Sequence, residues 1–140
     1  MPKQIVLIHG GTTFETYEEY LTYLHSCELT LEKIQKKDWK DNLVSELPEF
    51  QIIYPKMPNS KNARYEEWKI WFEKIISLLG ENVIFVGHSL GGIFLAKYIS
   101  ENNYQKIIKA VFLVAAPYNT ETDHPLVDFN IENDLSSFAR

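Results

Sequence analysis

The run Gly87-His88-Ser89-Leu90-Gly91 constrains this chain more than any other, because it joins two apolar segments of different character. Before it, Val83-Ile84-Phe85-Val86 is a continuous β-branched and aromatic run, the kind found in strands buried on both faces of a sheet. After it, Ile93-Phe94-Leu95-Ala96-Lys97-Tyr98-Ile99 reads as a helix. A serine at the tip of so sharp a strand-to-helix turn must adopt strained backbone geometry. Side chains two residues to either side would collide with the crossing strand and helix, so glycine belongs at 87 and 91. The turn also aims the amino end of the helix at the serine hydroxyl, where its dipole and free N–H groups favour an oxyanion. Ser89 is therefore the candidate nucleophile, and the amide of Leu90 a candidate oxyanion donor.

The rest of the chain alternates strand and helix. Ile5 to Ile8 is a short aliphatic strand closed by His9-Gly10-Gly11. Tyr17, Tyr20, Leu21 and Leu24, then Trp39, Leu43 and Leu47, recur at helical spacing, with a break expected near Ser26 to Thr30 and an end at Pro48. Gln51 to Tyr54 is a second strand, followed by the loop Pro55-Lys56-Met57-Pro58-Asn59. Tyr65 to Leu79 predicts a helix whose face carries Trp68, Trp71, Phe72, Ile75, Ile76 and Leu79, with Gly80 as its C-cap. Asn82 to Val86 and Ala110 to Ala115 are the third and fourth strands, and Ile131 to Ala139 is a possible last helix. Strands separated by helices imply βαβ units and a doubly wound parallel sheet in a three-layer αβα fold. Ligand sites in such folds lie at the carboxyl ends of strands, where both glycine clusters fall. The first loop can supply a second backbone donor: Gly11 is the first choice and Thr12 the next, with His9 read as structural.

Composition closes other routes. A chain of 140 residues with a net charge of −5 suits one domain, residues 1–140, and lacks the basic footprint of a nucleic-acid binder. Nucleotide binding finds no Gly-x-Gly-x-x-Gly and no Gly-Lys-Ser/Thr. The single cysteine, Cys27, excludes an intrachain disulfide and is expected to be a small buried hydrophobe. The opening apolar run is too short for a signal peptide, and no segment approaches a membrane span, so a cytoplasmic protein without a membrane partner is expected.

These motifs and their flanks resemble the small serine hydrolases of the α/β-hydrolase superfamily, especially those of the retinoblastoma-binding-protein-nine type. The likeness rests on His9-Gly10, Pro55-Lys56-Met57-Pro58-Asn59, Glu67-Trp68, Gly87 to Gly91 and Leu113-Val114-Ala115, and covers nearly the whole chain. The segment from Phe14 to Phe50 is long for that group. The resemblance implies carboxylesterase-like acyl hydrolysis of a small ester by Ser89, an oxyanion hole of the Gly11 and Leu90 amides, and neither metal nor organic cofactor. It also implies a triad in chain order Ser, Asp, His, and the motifs that would carry the acid and base are not found before Arg140. The substitutes at hand are His124 with Asp123, Asp128 or Asp134. His25 and His88 are not placed to reach the serine hydroxyl.

By the same resemblance the strands take the order 2-1-3-4, with residues 110–115 as an apolar edge. Natural sheets seldom leave such an edge open. The expectation is thus an incomplete domain with its last strands missing, weak or inactive as it stands. The alternative is a non-catalytic interaction module, for which a homodimer through the exposed edge strand is one form.

Overall fold

The structure, a computed structural model, describes residues 2–104, 106–116 and 126–131. Four parallel strands, β1 (Lys3–Ile8), β2 (Phe50–Ile53), β3 (Val83–His88) and β4 (Ile108–Val114), form one sheet in the order β2-β1-β3-β4. This is the expected order, and helices flank the sheet in a three-layer α/β arrangement. The central pair is built from the two most continuous aliphatic runs. Val6, Leu7, Ile8, Val83 and Phe85 are wholly buried. Since side chains alternate across a strand, burial of consecutive residues in β1 means that both faces are covered.

The larger part of the core lies between the sheet and two helices, α4 (Tyr65–Ile76) and α5 (Leu90–Glu101). Trp68, Phe72, Phe94 and Tyr98 interlock there edge to face, with ring centroids 4.9–5.7 Å apart for Phe72–Tyr98, Phe72–Phe94 and Trp68–Phe94. Trp71 was expected on this face and is instead 45% exposed. The buried stripe is centred on Tyr65, Trp68 and Phe72, which leaves Trp71 on the flank of the helix. Nor does Gly80 cap α4. The helix ends at Ile76, its last turn tightens through Leu78 N–H to Ile75 and Leu79 N–H to Ile76, and the Gly80 amide donates to Gln4 Oε1 at 2.8 Å.

The chain between β1 and β2 forms three short helices, α1 (Tyr17–Ser26), α2 (Leu31–Gln35) and α3 (Leu43–Glu46), and a 3₁₀ turn at Trp39–Asn42. Thr16 and Thr30 cap α1 and α2 by accepting the amides of Glu19 and Lys33. The break and the end fall where the sequence places them, but none of these three helices buries a residue. Cys27, just after α1, is accordingly exposed, contrary to expectation: α1 meets Phe14 through Tyr20 and Tyr23 but buries none of its residues.

After β4 the sequence pattern weakens, yet Leu126 and Phe129 are core residues. Phe129 packs against Trp68, Tyr65 and Phe94. Lys97 of α5 holds this segment by donating to the Asn130 carbonyl at 2.7 Å while paired with Glu101. The last helix proposed for residues 131–139 lies, apart from Ile131, outside the described residues. Among the described residues no helix is long and apolar enough to cross a membrane.

Candidate active site

Ser89 stands at the carboxyl end of β3 with φ 54° and ψ −120°, a conformation that L-residues avoid and that costs on the order of 1–3 kcal/mol. Its surroundings enforce it. The Ser89 amide donates to the carbonyl of Val114, the last residue of β4, at 2.8 Å, and the Ser89 carbonyl accepts the amides of Gly92 and Ile93. A Cβ on Gly87 would stand 2.6 Å from backbone atoms of Gly91 and Gly92, and one on Gly91 would stand 2.2 Å from the Ile8 carbonyl oxygen. Both glycines are therefore needed for α5 to cross so close to β1 and β3. The Leu90 amide lies in the first turn of α5, where helix N–H groups have no intrahelical acceptor.

The loop after β1 comes up beside the serine. A Cβ on Gly10 would lie 3.2 Å from the Ser89 Cβ and 3.7 Å from its Oγ, and one on Gly11 would lie 2.6 Å from the Ser60 carbonyl oxygen. Thr12, the second choice as oxyanion donor, is ruled out because its amide is already given to the Ser60 carbonyl at 2.8 Å. Gly11 keeps the first place. The loop is strapped to the segment after β2 at three points, Thr12 N–H to the Ser60 carbonyl, Ala63 N–H to the Thr12 carbonyl and Met57 N–H to His9 Nε2 at 2.9 Å, and that segment is itself fastened to α4 by the Trp68 indole N–H, which donates to the Pro58 carbonyl at 2.8 Å. Asn59 makes the turn between the straps with φ 52°. An imidazole nitrogen that accepts carries no proton, so His9 holds its proton on Nδ1 and gives it to the Gly10 carbonyl at 2.6 Å. Both ring nitrogens are engaged, and His9 is structural as expected.

The other two histidines among the described residues make no hydrogen bond to Ser89. His25 is exposed on α1, and His88 packs edge-on against Trp39 with centroids 6.3 Å apart. Among the described residues no histidine is hydrogen-bonded to Ser89. Asp128, one of the acids considered, is committed elsewhere: its Oδ2 accepts the amide of Tyr65 at 3.1 Å and caps α4, whose own N-cap residue, Arg64, offers no side-chain bond. Asp123, His124 and Asp134 lie outside the described residues. Among the described residues no group of three or more His, Cys, Asp or Glu side chains is gathered to hold a metal ion.

One wall of the site went unread in the sequence. The 3₁₀ turn at Trp39–Asn42 leans over the strand ends, putting Trp39 on His88. It buries Lys40, whose ammonium pairs with Asp38 and lies over the rings of Trp39 and Tyr54 at 5.0 and 5.7 Å. The ammonium holds the Asp38 carboxyl below the usual range, while burial pushes the Tyr54 phenol up. Beside this wall an open cleft of about 660 Å³ is bounded by His9, Asp41, Tyr54, Lys56, Met57, Asn59 and Ser60. The Phe14–Phe50 length and the Asp38-x-x-Asp41 capping box were the available signals.

The geometry agrees with comparisons to known proteins. A model of the serine hydrolase family matches residues 30–137. The fold is similar to that of the ydeN gene product of B. subtilis (TM-score 0.59, 19% identity), covering 96% of this chain and 62% of that one. It is also similar to a YdeN-like hydrolase from Pectobacterium atrosepticum (TM-score 0.54, 19% identity), covering 94% of this chain and 54% of that one. The chain thus spans less than two thirds of the length of either protein. No curated protein matches the sequence.

Proposed function

Because the chain belongs to the serine hydrolase family, we propose that it provides the nucleophile and oxyanion hole for hydrolysis of a small carboxylic ester. The observation that carries this reading is the strained Ser89, held by Val114, Gly87 and Gly91 at the mouth of α5. Ser89 Oγ attacks the ester carbonyl carbon as a general base takes its proton. The carbonyl oxygen becomes an oxyanion, which the amides of Leu90 and Gly11 receive. Collapse expels the alcohol, which takes the proton back from the base, and leaves an acyl-serine. Water, activated by the same base, then releases the acid and restores the hydroxyl. The scheme uses no metal or organic cofactor.

The base and its orienting acid come from outside the described residues, either from the segment holding Asp123 and His124 or from sequence further on in the whole protein. The resemblance of the sequence to the retinoblastoma-binding-protein-nine type supports reading it as a cytoplasmic enzyme acting on small acyl substrates.

A fluorophosphonate probe tests the assignment. Labelling is expected to be weak in this chain and to vanish in Ser89→Ala; label that survives Ser89→Ala overturns it. A loss of label in His124→Ala places the base within the chain, and unchanged label places it beyond.

A second reading, a non-catalytic interaction module, is favoured by β4, where Phe112, Leu113 and Val114 are 56, 42 and 38% exposed on the edge of the sheet. A homodimer through this edge predicts a two-fold mass in sedimentation, reduced to the monomer by Phe112→Lys. A monomer at all concentrations removes that form of the reading.

A further inference from the structure

The cleft beside His9 is uneven in its chemistry. Tyr54, Lys56, Asn59 and Ser60 each bring at least one N–H or O–H donor to its lining. Its one side chain that only accepts is the Asp41 carboxylate, and one of its oxygens is already occupied by the Asp38 amide at 2.7 Å, while the amide and hydroxyl oxygens of Asn59, Tyr54 and Ser60 accept as well as donate. His9 adds no acceptor, since Nε2 is taken by Met57. The Tyr54 phenol, raised by burial, stays protonated near neutrality and so remains a donor. At about 660 Å³ the cleft is of a size suited to small ligands. His9 forms part of its lining, and the next residue, Gly10, lies against Ser89, which puts the cleft one residue along the chain from the serine's neighbour.

Resting on the reading of Ser89 as nucleophile, we propose that this cleft receives one arm of the substrate and selects arms that end in a hydrogen-bond acceptor, such as a carboxylate or amide oxygen, over plain alkyl arms. An alkyl arm can rest on Met57 but returns no hydrogen bond to the donors it covers. An acceptor-bearing arm returns one, and Lys56 adds a charge-assisted bond when the acceptor is anionic.

The test separates binding from turnover. Ser89→Ala protein is titrated by ¹⁵N NMR with three methyl esters of matched length: monomethyl succinate, methyl succinamate and methyl pentanoate. The first two are expected to shift the amides of residues 54–60 and to bind about tenfold more tightly than the third, a ratio in keeping with one or two added hydrogen bonds. Lys56→Ala should weaken monomethyl succinate alone, and Tyr54→Phe, which keeps the ring, should weaken both acceptor-bearing esters. The same titration of the unaltered chain controls for folding. Equal or tighter binding of methyl pentanoate, shifts confined to other residues, or no saturable shift with any ester overturns the proposal. Fluorophosphonate labelling reads Ser89 separately: label lost in Ser89→Ala beside an unselective cleft refutes the cleft alone, and label that survives Ser89→Ala beside a selective cleft refutes the nucleophile alone.

Discussion

Strands β1 and β4 are written in nearly the same alphabet and end in opposite circumstances. β1 offers Ile5-Val6-Leu7-Ile8, and every one of these residues is buried. β4 offers Val111-Phe112-Leu113-Val114, and the last three are exposed. The difference is position. β1 has β2 on one side and β3 on the other, with cover on both faces, whereas among the described residues β4 pairs with β3 alone. An apolar run therefore states that a strand is fit for burial; its neighbours decide whether burial happens. The same lesson applies between β1 and β2, where the apolar stripe of α1 finds no core.

The comparison can be broken with paired truncations. Leu7→Ala should lower unfolding stability by about 2–5 kcal/mol, as expected for a buried leucine. Leu113→Ala, chemically the same change, should fall within about 0.5 kcal/mol of the parent. Urea unfolding followed by circular dichroism gives both numbers, and similar losses would show that β4 is covered in solution.

A smaller effect sharpens the contrast between a site held by its scaffold and a free surface. Trp68→Phe keeps most of the ring packing but orphans the Pro58 carbonyl, which should cost about 1–3 kcal/mol. It should also reduce fluorophosphonate labelling of Ser89, because the Trp68 ring, 3.2 Å from where a Gly11 Cβ would stand, packs against the Gly10–Gly11 loop. Stability lost with labelling intact would separate the strap from the site.

The smallest effect concerns pH. Burial pushes the phenols of Tyr98 and Tyr104 up to about 12, both on the packed side of the sheet. A raised pKa in the folded state means that the native protein holds its proton longer than the unfolded chain does. The melting temperature should thus be unaffected by these groups below about pH 10 and fall as pH rises from there towards 12. Tyr104→Phe should flatten that decline, and an unchanged slope would place the alkaline sensitivity elsewhere.

What could be read from the sequence was local. The elbow, the four strands and the break after Ser26 follow from residues within one turn or one strand of each other, and the strand order from the resemblance. The features that escaped are contacts at long separation. Asp128 caps a helix that begins 63 residues earlier, and Trp68 fastens the Pro58 carbonyl. No periodicity reports either. The Pro55–Asn59 loop and Trp68 were visible as motifs, but their joint purpose, holding the loop beside Ser89, needed coordinates. Cys27 and Trp71 failed for the converse reason: residue type and helical phase express a preference for burial, and the fold supplies no surface at those two points.

The bond from the Ser89 amide to the Val114 carbonyl also gives the molecule a built-in gauge. The sheet's ladder runs one residue past β3, so its final rung belongs at once to Ser89 and to the edge strand β4. In hydrogen–deuterium exchange, the protection of that single amide measures how often β4 peels from the sheet. Anything that clamps the outer edge, whether another strand, a second copy or an added segment, should slow exchange at Ser89 without touching the catalytic cleft.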